Sequence, residues 1–275
     1  FLYHLKERKG ESEKRLREPS TQHQLLKHLR TFLRWCHTQR NYLERLPHFE
    51  VAIEGANDEG IGIALTAEEA QRLIHEATFI EQENRKSFRN FWLFLLLLLK
   101  TCFRKSNVLN LRWSMIDLEK GVVNVPRGWT KRKAPFTYPL NDEIWSILSE
   151  IKKQAKTDFV LEGMKSRRDV PRTWIRAVRK ELRTFGDNGE LVDRTDEKGN
   201  LFRWHFGRTT YISWLERSEV EDDKGVRHRI PESCRRALSD HAGFKDHHGR
   251  YLKTSDEEKR AFVNTLPALL LPEGW

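Results

Sequence analysis

A chain of 275 residues, 38% hydrophobic and 33% charged, is long enough for one large domain or two smaller ones with a real core. Its net charge of +10 and pI of 9.6 point to a polyanionic partner, with nucleic acid the first candidate. Cys36, Cys102 and Cys234 are far apart and form no C-x-x-C pair, which argues against a disulfide framework and a cysteine zinc site. The longest apolar run, residues 91–99, falls far short of the roughly 20 residues of a membrane-spanning helix.

Residues 20–40 follow a helical period, with Leu25, Leu29, Phe32, Leu33 and Cys36 on one stripe and Ser20 or Thr21 as N-cap. Lys27, Arg30, Arg34 and Arg40 lie mostly off that stripe, as a solvated face or as a row along a phosphate backbone. Residues 48–65, with Gly55, Gly60 and Gly62 and no helical period, predict a linker. Thr66 caps a new helix with Glu68 and Glu69 in its first turn. An apolar, buried helix is expected over 87–103. From 113 to 140 the period changes to that of three short strands, with turns at Lys120-Gly121 and around Trp129–Lys133.

Asn141 opens another helix. Residues 171–186 begin with proline and end at Gly186, matching helix start and stop chemistry. Residues 187–200 read as polar loop. A helix carrying "HFGRTTYISWLE" follows, then a charged insert, "RSEVEDDKGVRHRI", expected as a loop, then a helix started by Pro231. The tail from 252 is helical in its first half, capped at Thr254 or Ser255 and broken at Pro267. Its Phe262, Val263, Leu266, Leu269, Leu270 and Leu271 need burial on a neighbouring protomer or on the chain's own domain.

Along this frame stand, in order, Arg104 after the buried helix, Lys131 in the hairpin, His205 and Arg208 at a helix start, and His241 and Tyr251 near the end. Singly, each has a plain reading: a helix-end cap, a basic turn, a half-buried helix face, a packed ring. His241, His247 and His248 lack the carboxylate or cysteine set of a metal site. Together they resemble the tyrosine recombinase (phage integrase) family. Its first box typically reads T-G-L-R-x-S-E-h-h-x-L-x-W, with h apolar, and "TCFRKSNVLNLRW" matches at Thr101, Arg104, Ser106, Val108, Leu109, Leu111 and Trp113. Its H-x-x-R box with a following threonine fits His205, Arg208 and Thr210, and its L-x-x-H with a later tyrosine fits Leu238, His241 and Tyr251. Its hairpin lysine precedes a Pro-Leu pair, as Lys131 precedes Pro139-Leu140. No single box is specific; the joint order is.

The resemblance implies a mainly helical α+β catalytic domain with a small three-stranded antiparallel sheet, preceded by a partial helical DNA-binding domain. Its bounds are set at 1–50 for the DNA clamp, 51–65 for the linker and 66–275 for the catalytic domain with its tail. It also implies that Tyr251 attacks a DNA phosphodiester to give a 3′-phosphotyrosyl link, with Arg104 and Arg208 clamping the phosphate oxygens. Lys131 is the implied acid for the leaving 5′-oxygen, with Lys133 a rival. His205 is the implied base, His241 a further phosphate donor, and Tyr211 the reserve nucleophile. Lys27, Arg30, Arg34, Arg132 and Lys133 are the expected DNA contacts. No cofactor or metal is expected. The implied partners are double-stranded DNA and a homotetramer on two DNA sites, without a membrane, in the cytoplasm and nucleoid-associated in a prokaryote. The alternatives are a type IB topoisomerase-like relaxing enzyme and an inactive DNA-binding relic. The chain departs from the pattern at Asn107, where the family has an acid, at Phe206-Gly207, and in a long stretch from Arg208 to His241.

Overall fold

The structure is a computed structural model and describes residues 19–47, 63–129, 135–164, 167–185, 188–195, 201–221, 224–239 and 255–272. The linker expected at 51–65 falls mostly outside these residues. So do Lys131, Arg132, Lys133, His241 and Tyr251. The chain divides into two compact units, Phe1–Gly60 and Ile61–Trp275.

In the first unit, helix α1 (Pro19–Thr38) buries Leu26 and Cys36 and exposes Lys27, Arg30 and Arg34. Phe32, expected on the apolar stripe, is instead 57% exposed. The buried line runs through Leu26 and Cys36 with Leu29 and Leu33 half-covered, and Phe32 lies round the helix from it. It stacks on Trp35 at 6.2 Å, and Arg40 lies 5.3 Å over the Trp35 ring.

The second unit is built round α4 (Phe91–Lys100), every residue of which is buried. It follows α2 (Ala67–Glu83), whose start is fixed by a capping box between Thr66 and Glu69, and the short α3 (Arg85–Phe88). The single helix expected over 87–103 is therefore split. Asn90 takes a left-handed φ of 65° and α4 begins only after it. Glu81 of α2 supplies the missing cap: its carboxylate accepts from the amides of Asn90 at 2.7 Å and Phe91 at 2.9 Å. Burial pushes the Glu81 carboxyl up from its ordinary range, and these amides pull it part of the way back. The C-terminal end comes early too, at Lys100, because Cys102 turns left-handed at φ 53°.

After α5 (Lys105–Leu109) come β1 (Ile116–Asp117), β2 (Val122–Val125) and β3 (Phe136–Pro139). They form the expected antiparallel sheet in the order β1-β2-β3, with Val123 opposite Tyr138. Gly121, at φ 63°, makes the first turn. Val123, Val125 and Tyr138 face the core. The Tyr138 hydroxyl donates to the Lys100 carbonyl at 3.1 Å, tying the sheet to the end of α4.

Next come α6 (Asp142–Lys153), capped by Asn141, and α7 (Arg172–Glu181). The latter stops short of Gly186. Thr184–Phe185 (β4) turns back through Gly189, at φ 74°, to pair with Leu191–Val192 (β5), and Arg183 pairs with Asp193 across the turn at 2.9 Å. The stretch read as polar loop thus begins with a hairpin. The same holds for the charged insert after α8 (Phe206–Arg217): Glu219–Glu221 (β6) pairs with Arg227–Arg229 (β7) through a turn holding Gly225 at φ 75°. In both places a glycine free to adopt positive φ lets short strands reverse.

After α9 (Glu232–Leu238), α10 (Asp256–Asn264) starts at a Ser255–Glu258 capping box. The described part of the tail packs on its own domain and leaves Leu270 68% exposed. Val263, Leu266 and Leu269 are buried. Lys100 Nζ donates to the Pro267 carbonyl and pairs with Glu143, whose other oxygen accepts from the Leu269 amide at 3.0 Å. Gln71 of α2 accepts from the Leu270 amide at 2.8 Å. Among the described residues no helix is long and apolar enough to cross a membrane.

Candidate active site

A cleft of 570 Å³ opens between the start of α5, α7 and the segment entering α8. Arg104, His205 and Arg208 all line it. Each arrives by a different local device.

Arg104 is the N-cap of α5, with an extended backbone. It is half-buried, and its Nη1 donates to the Trp129 carbonyl at 3.2 Å. Asn107 Nδ2 donates to the same oxygen at 3.3 Å. Trp129 closes a 3-10 turn, Arg127–Trp129, after β2, and its ring meets Phe103 edge-on at 6.3 Å. The first box and the root of the β2–β3 hairpin are thereby joined.

Arg208 sits in the first turn of α8 and is only 5% exposed. Its Nη1 donates to the Cys102 carbonyl at 3.2 Å and its Nη2 to the Ser239 carbonyl. The left-handed turn at Cys102, where the family box has glycine, presents that carbonyl at the end of α4. Ser239 is the C-cap of α9, so Arg208 links three helix ends. Gly207 makes this possible. A Cβ there would lie 2.5 Å from Leu98 Cγ and 3.0 Å from the Leu98 carbonyl oxygen. The residue that reads as a weak helix former is what lets α8 approach α4.

His205 is the N-cap of α8 and is exposed. Its carbonyl accepts from the amides of Arg208 at 3.0 Å and Thr209 at 3.1 Å. Thr210 is buried and accepts the Leu65 amide at 2.9 Å, and Trp214 Nε1 donates to the Leu65 carbonyl at 3.0 Å. Thr210 is therefore an anchor of α8 rather than a lining group.

Tyr211, the reserve nucleophile, is withdrawn by its position. It is fully buried, with its hydroxyl 2.9 Å from that of Tyr138. Burial pushes its phenol far above the ordinary range, so neither access nor ionisation favours attack.

The cleft also contains cations that spacing and box order do not single out: Lys105, Arg172, Arg179 and Arg203. Arg179 donates through Nε and Nη2 to the Phe202 carbonyl, at 3.1 and 2.8 Å, and so fixes the chain just before His205. Arg172, Arg176 and Arg179 follow a helical spacing beside the buried Trp174 and Val178, a signal that marks one basic side of α7. Among the described lining residues Asp169 is the one carboxylate. Lys105 holds it at 2.6 Å, and that bond keeps the Asp169 carboxyl below its usual range. A cleft so charged, with donors fixed by backbone contacts, suits an oxyanion with several equivalent oxygens. Among the described residues no group of three or more His, Cys, Asp or Glu is placed to hold a metal ion.

The sequence pattern of the phage integrase family matches residues 64–224, more than half of the chain. The integrase of Salmonella phage P22 is 28% identical over 158 residues. That match is 57% of this chain and 37% of the relative, so the chain spans little more than a third of that protein's length. The crystal structure of XerA recombinase aligns over 86% of this chain and 77% of its own, with 15% identity and a TM-score of 0.40. The matched pattern contains Arg104, His205 and Arg208, and on its extent this chain belongs to the phage integrase family, the tyrosine recombinases.

Proposed function

We propose that this chain is a site-specific DNA recombinase that cuts and rejoins strands through a 3′-phosphotyrosyl intermediate. The observation that carries the reading is the meeting of Arg104, His205 and Arg208 in one cation-lined cleft. A phosphodiester enters with its non-bridging oxygens toward Arg104 and Arg208, whose planar forks suit paired oxygens. The Tyr251 oxygen attacks phosphorus and gives its proton to His205. The bond to the 5′-oxygen breaks, and that oxygen takes a proton from Lys131. His241 donates to the phosphate. The bond energy is kept in the phosphotyrosine, and the reverse attack by a 5′-hydroxyl on another strand restores the backbone.

In this reading residues 1–50 are a DNA clamp, with Lys27, Arg30 and Arg34 along the phosphate backbone. Residues 51–65 are a linker and 66–275 the catalytic domain. Arg132 and Lys133 add hairpin contacts, and four protomers act on two DNA sites. The test is a nicked suicide duplex of the native flanking DNA. The wild-type chain should give a covalent protein–DNA band, and Tyr251→Phe should bind the duplex and give none. An adduct that persists in Tyr251→Phe would move the nucleophile elsewhere and sink the assignment.

A further inference from the structure

Asn107 stands where the resembled family carries an acid, and the exchange has a geometric counterpart. Two side chains of the first box meet one backbone oxygen: the Trp129 carbonyl accepts from Arg104 at 3.2 Å and from Asn107 at 3.3 Å. A carbonyl oxygen has two lone pairs and can take both donors. The Trp129 amide in turn donates to Pro126 at 3.0 Å, so this oxygen belongs to the turn from which the chain sets out toward β3. A carboxylate at 107 has no proton to donate. It would repel the Trp129 oxygen and draw the Arg104 guanidinium to itself.

We infer that Asn107 is a positioning residue that keeps the Trp129 carbonyl paired while Arg104 turns from that carbonyl to a phosphate oxygen. The inference rests on the phosphodiester reading above. Without Asn107, Arg104 would have to choose. Binding phosphate would strip a half-buried carbonyl of its donor, which is costly, and the hairpin root would loosen as DNA entered. With Asn107 present the carbonyl never loses both donors, so Arg104 is released and the root stays closed.

Hydrogen exchange of the amides of residues 127–129, 136 and 137 tests this on the full chain. In DNA-free protein either donor alone holds the turn. Asn107→Leu and Arg104→Ala should each exchange within about twofold of wild type, and the double variant about tenfold faster or more, a non-additive pattern. With a saturating random-sequence duplex, wild type should keep its protection. Asn107→Leu should exchange about tenfold faster than it does without DNA, and Asn107→Gln, which restores an amide donor, should stay protected. A double variant no faster than the single ones overturns the shared carbonyl. An Asn107→Leu root that stays closed on DNA overturns the hand-over. A wild-type chain that binds the nicked suicide duplex of its native flanking DNA but forms no covalent adduct would instead count against the phosphodiester reading, and the DNA-free exchange would still decide the shared carbonyl by itself.

Discussion

Gly207→Ala should weaken both the fold and the cleavage step. The added Cβ would meet Leu98 Cγ at 2.5 Å and Cδ2 at 2.9 Å, where carbon atoms normally rest about 3.5–4.0 Å apart. Leu98 is 1% exposed, and the third neighbour is its backbone oxygen at 3.0 Å. Neither can swing aside. Overpacking of this kind costs about 1–3 kcal/mol, and with backbone involved the upper end applies. Alanine returns about 1 kcal/mol as a better helix former than glycine. The net loss is then about 2 kcal/mol, a fall in thermal midpoint of roughly 4–8 °C for a unit of this size. To relieve the overlap α8 must back away from α4, and Arg208 is the next residue. A displacement of about 1 Å at a clamping group can slow chemistry some 10²-fold. Denaturant unfolding and adduct formation on a suicide duplex measure the two effects. Gly128→Ala is the control, since nothing lies within 4 Å of a Cβ there. A Gly207→Ala protein at least as stable as wild type, with an unchanged adduct rate, would refute the close-approach argument.

Arg208→Lys should lose about 10²-fold or more in adduct rate although the charge is kept, because an ammonium cannot hold two separate carbonyls and a phosphate; near-normal cleavage would make Arg208 structural. Glu143→Gln should cost about 3 kcal/mol in denaturant unfolding, because it strands the buried Lys100 ammonium without a counter-charge; a loss under about 0.5 kcal/mol, the range of an ordinary surface change, would show that the pair does not hold the tail. Replacing Lys27, Arg30 and Arg34 together by Ala should lower the log–log salt slope of duplex binding by up to about 2.7, at about 0.9 for each phosphate no longer neutralised; an unchanged slope would leave α1 with a merely solvated face.

Much of the frame was legible because it rests on local signals. Thr66, Asn141 and Ser255 are caps whose partners lie three residues on, and the three strands followed from a change of period. What escaped was set by contacts distant in sequence. The break at Asn90 depends on the Glu81 carboxylate, which no window over 87–103 contains. The two extra hairpins have strands of only two and three residues, too short for a period of two to mark them. At the site, spacing and box order picked out Arg104, His205 and Arg208. They could not distinguish Thr210, an anchor for Leu65, from a lining residue, or disclose that Tyr211 is sealed inside. Gly207 looked like a defect because helix propensity is a local measure and the approach of α4 is not.

Two buried cations show how the site can be told from the scaffold. Lys100 and Arg208 are both at 5% exposure or less, and an isolated charge in such a place is costly. Lys100 is answered by Glu143. Burial draws its ammonium down from the ordinary range, and the carboxylate draws it part of the way back. That cation is complete, and what it holds is the tail. Among the described residues, the Arg208 guanidinium donates to the neutral carbonyls of Cys102 and Ser239. These two neutral acceptors fix the plane of the guanidinium and carry no counter-charge of their own. A fold that needed only an anchor there would be served as well by a neutral donor. Among the described residues no carboxylate answers Arg208, and in the proposed reading the entering phosphate, an anion of the right shape, supplies its counter-charge.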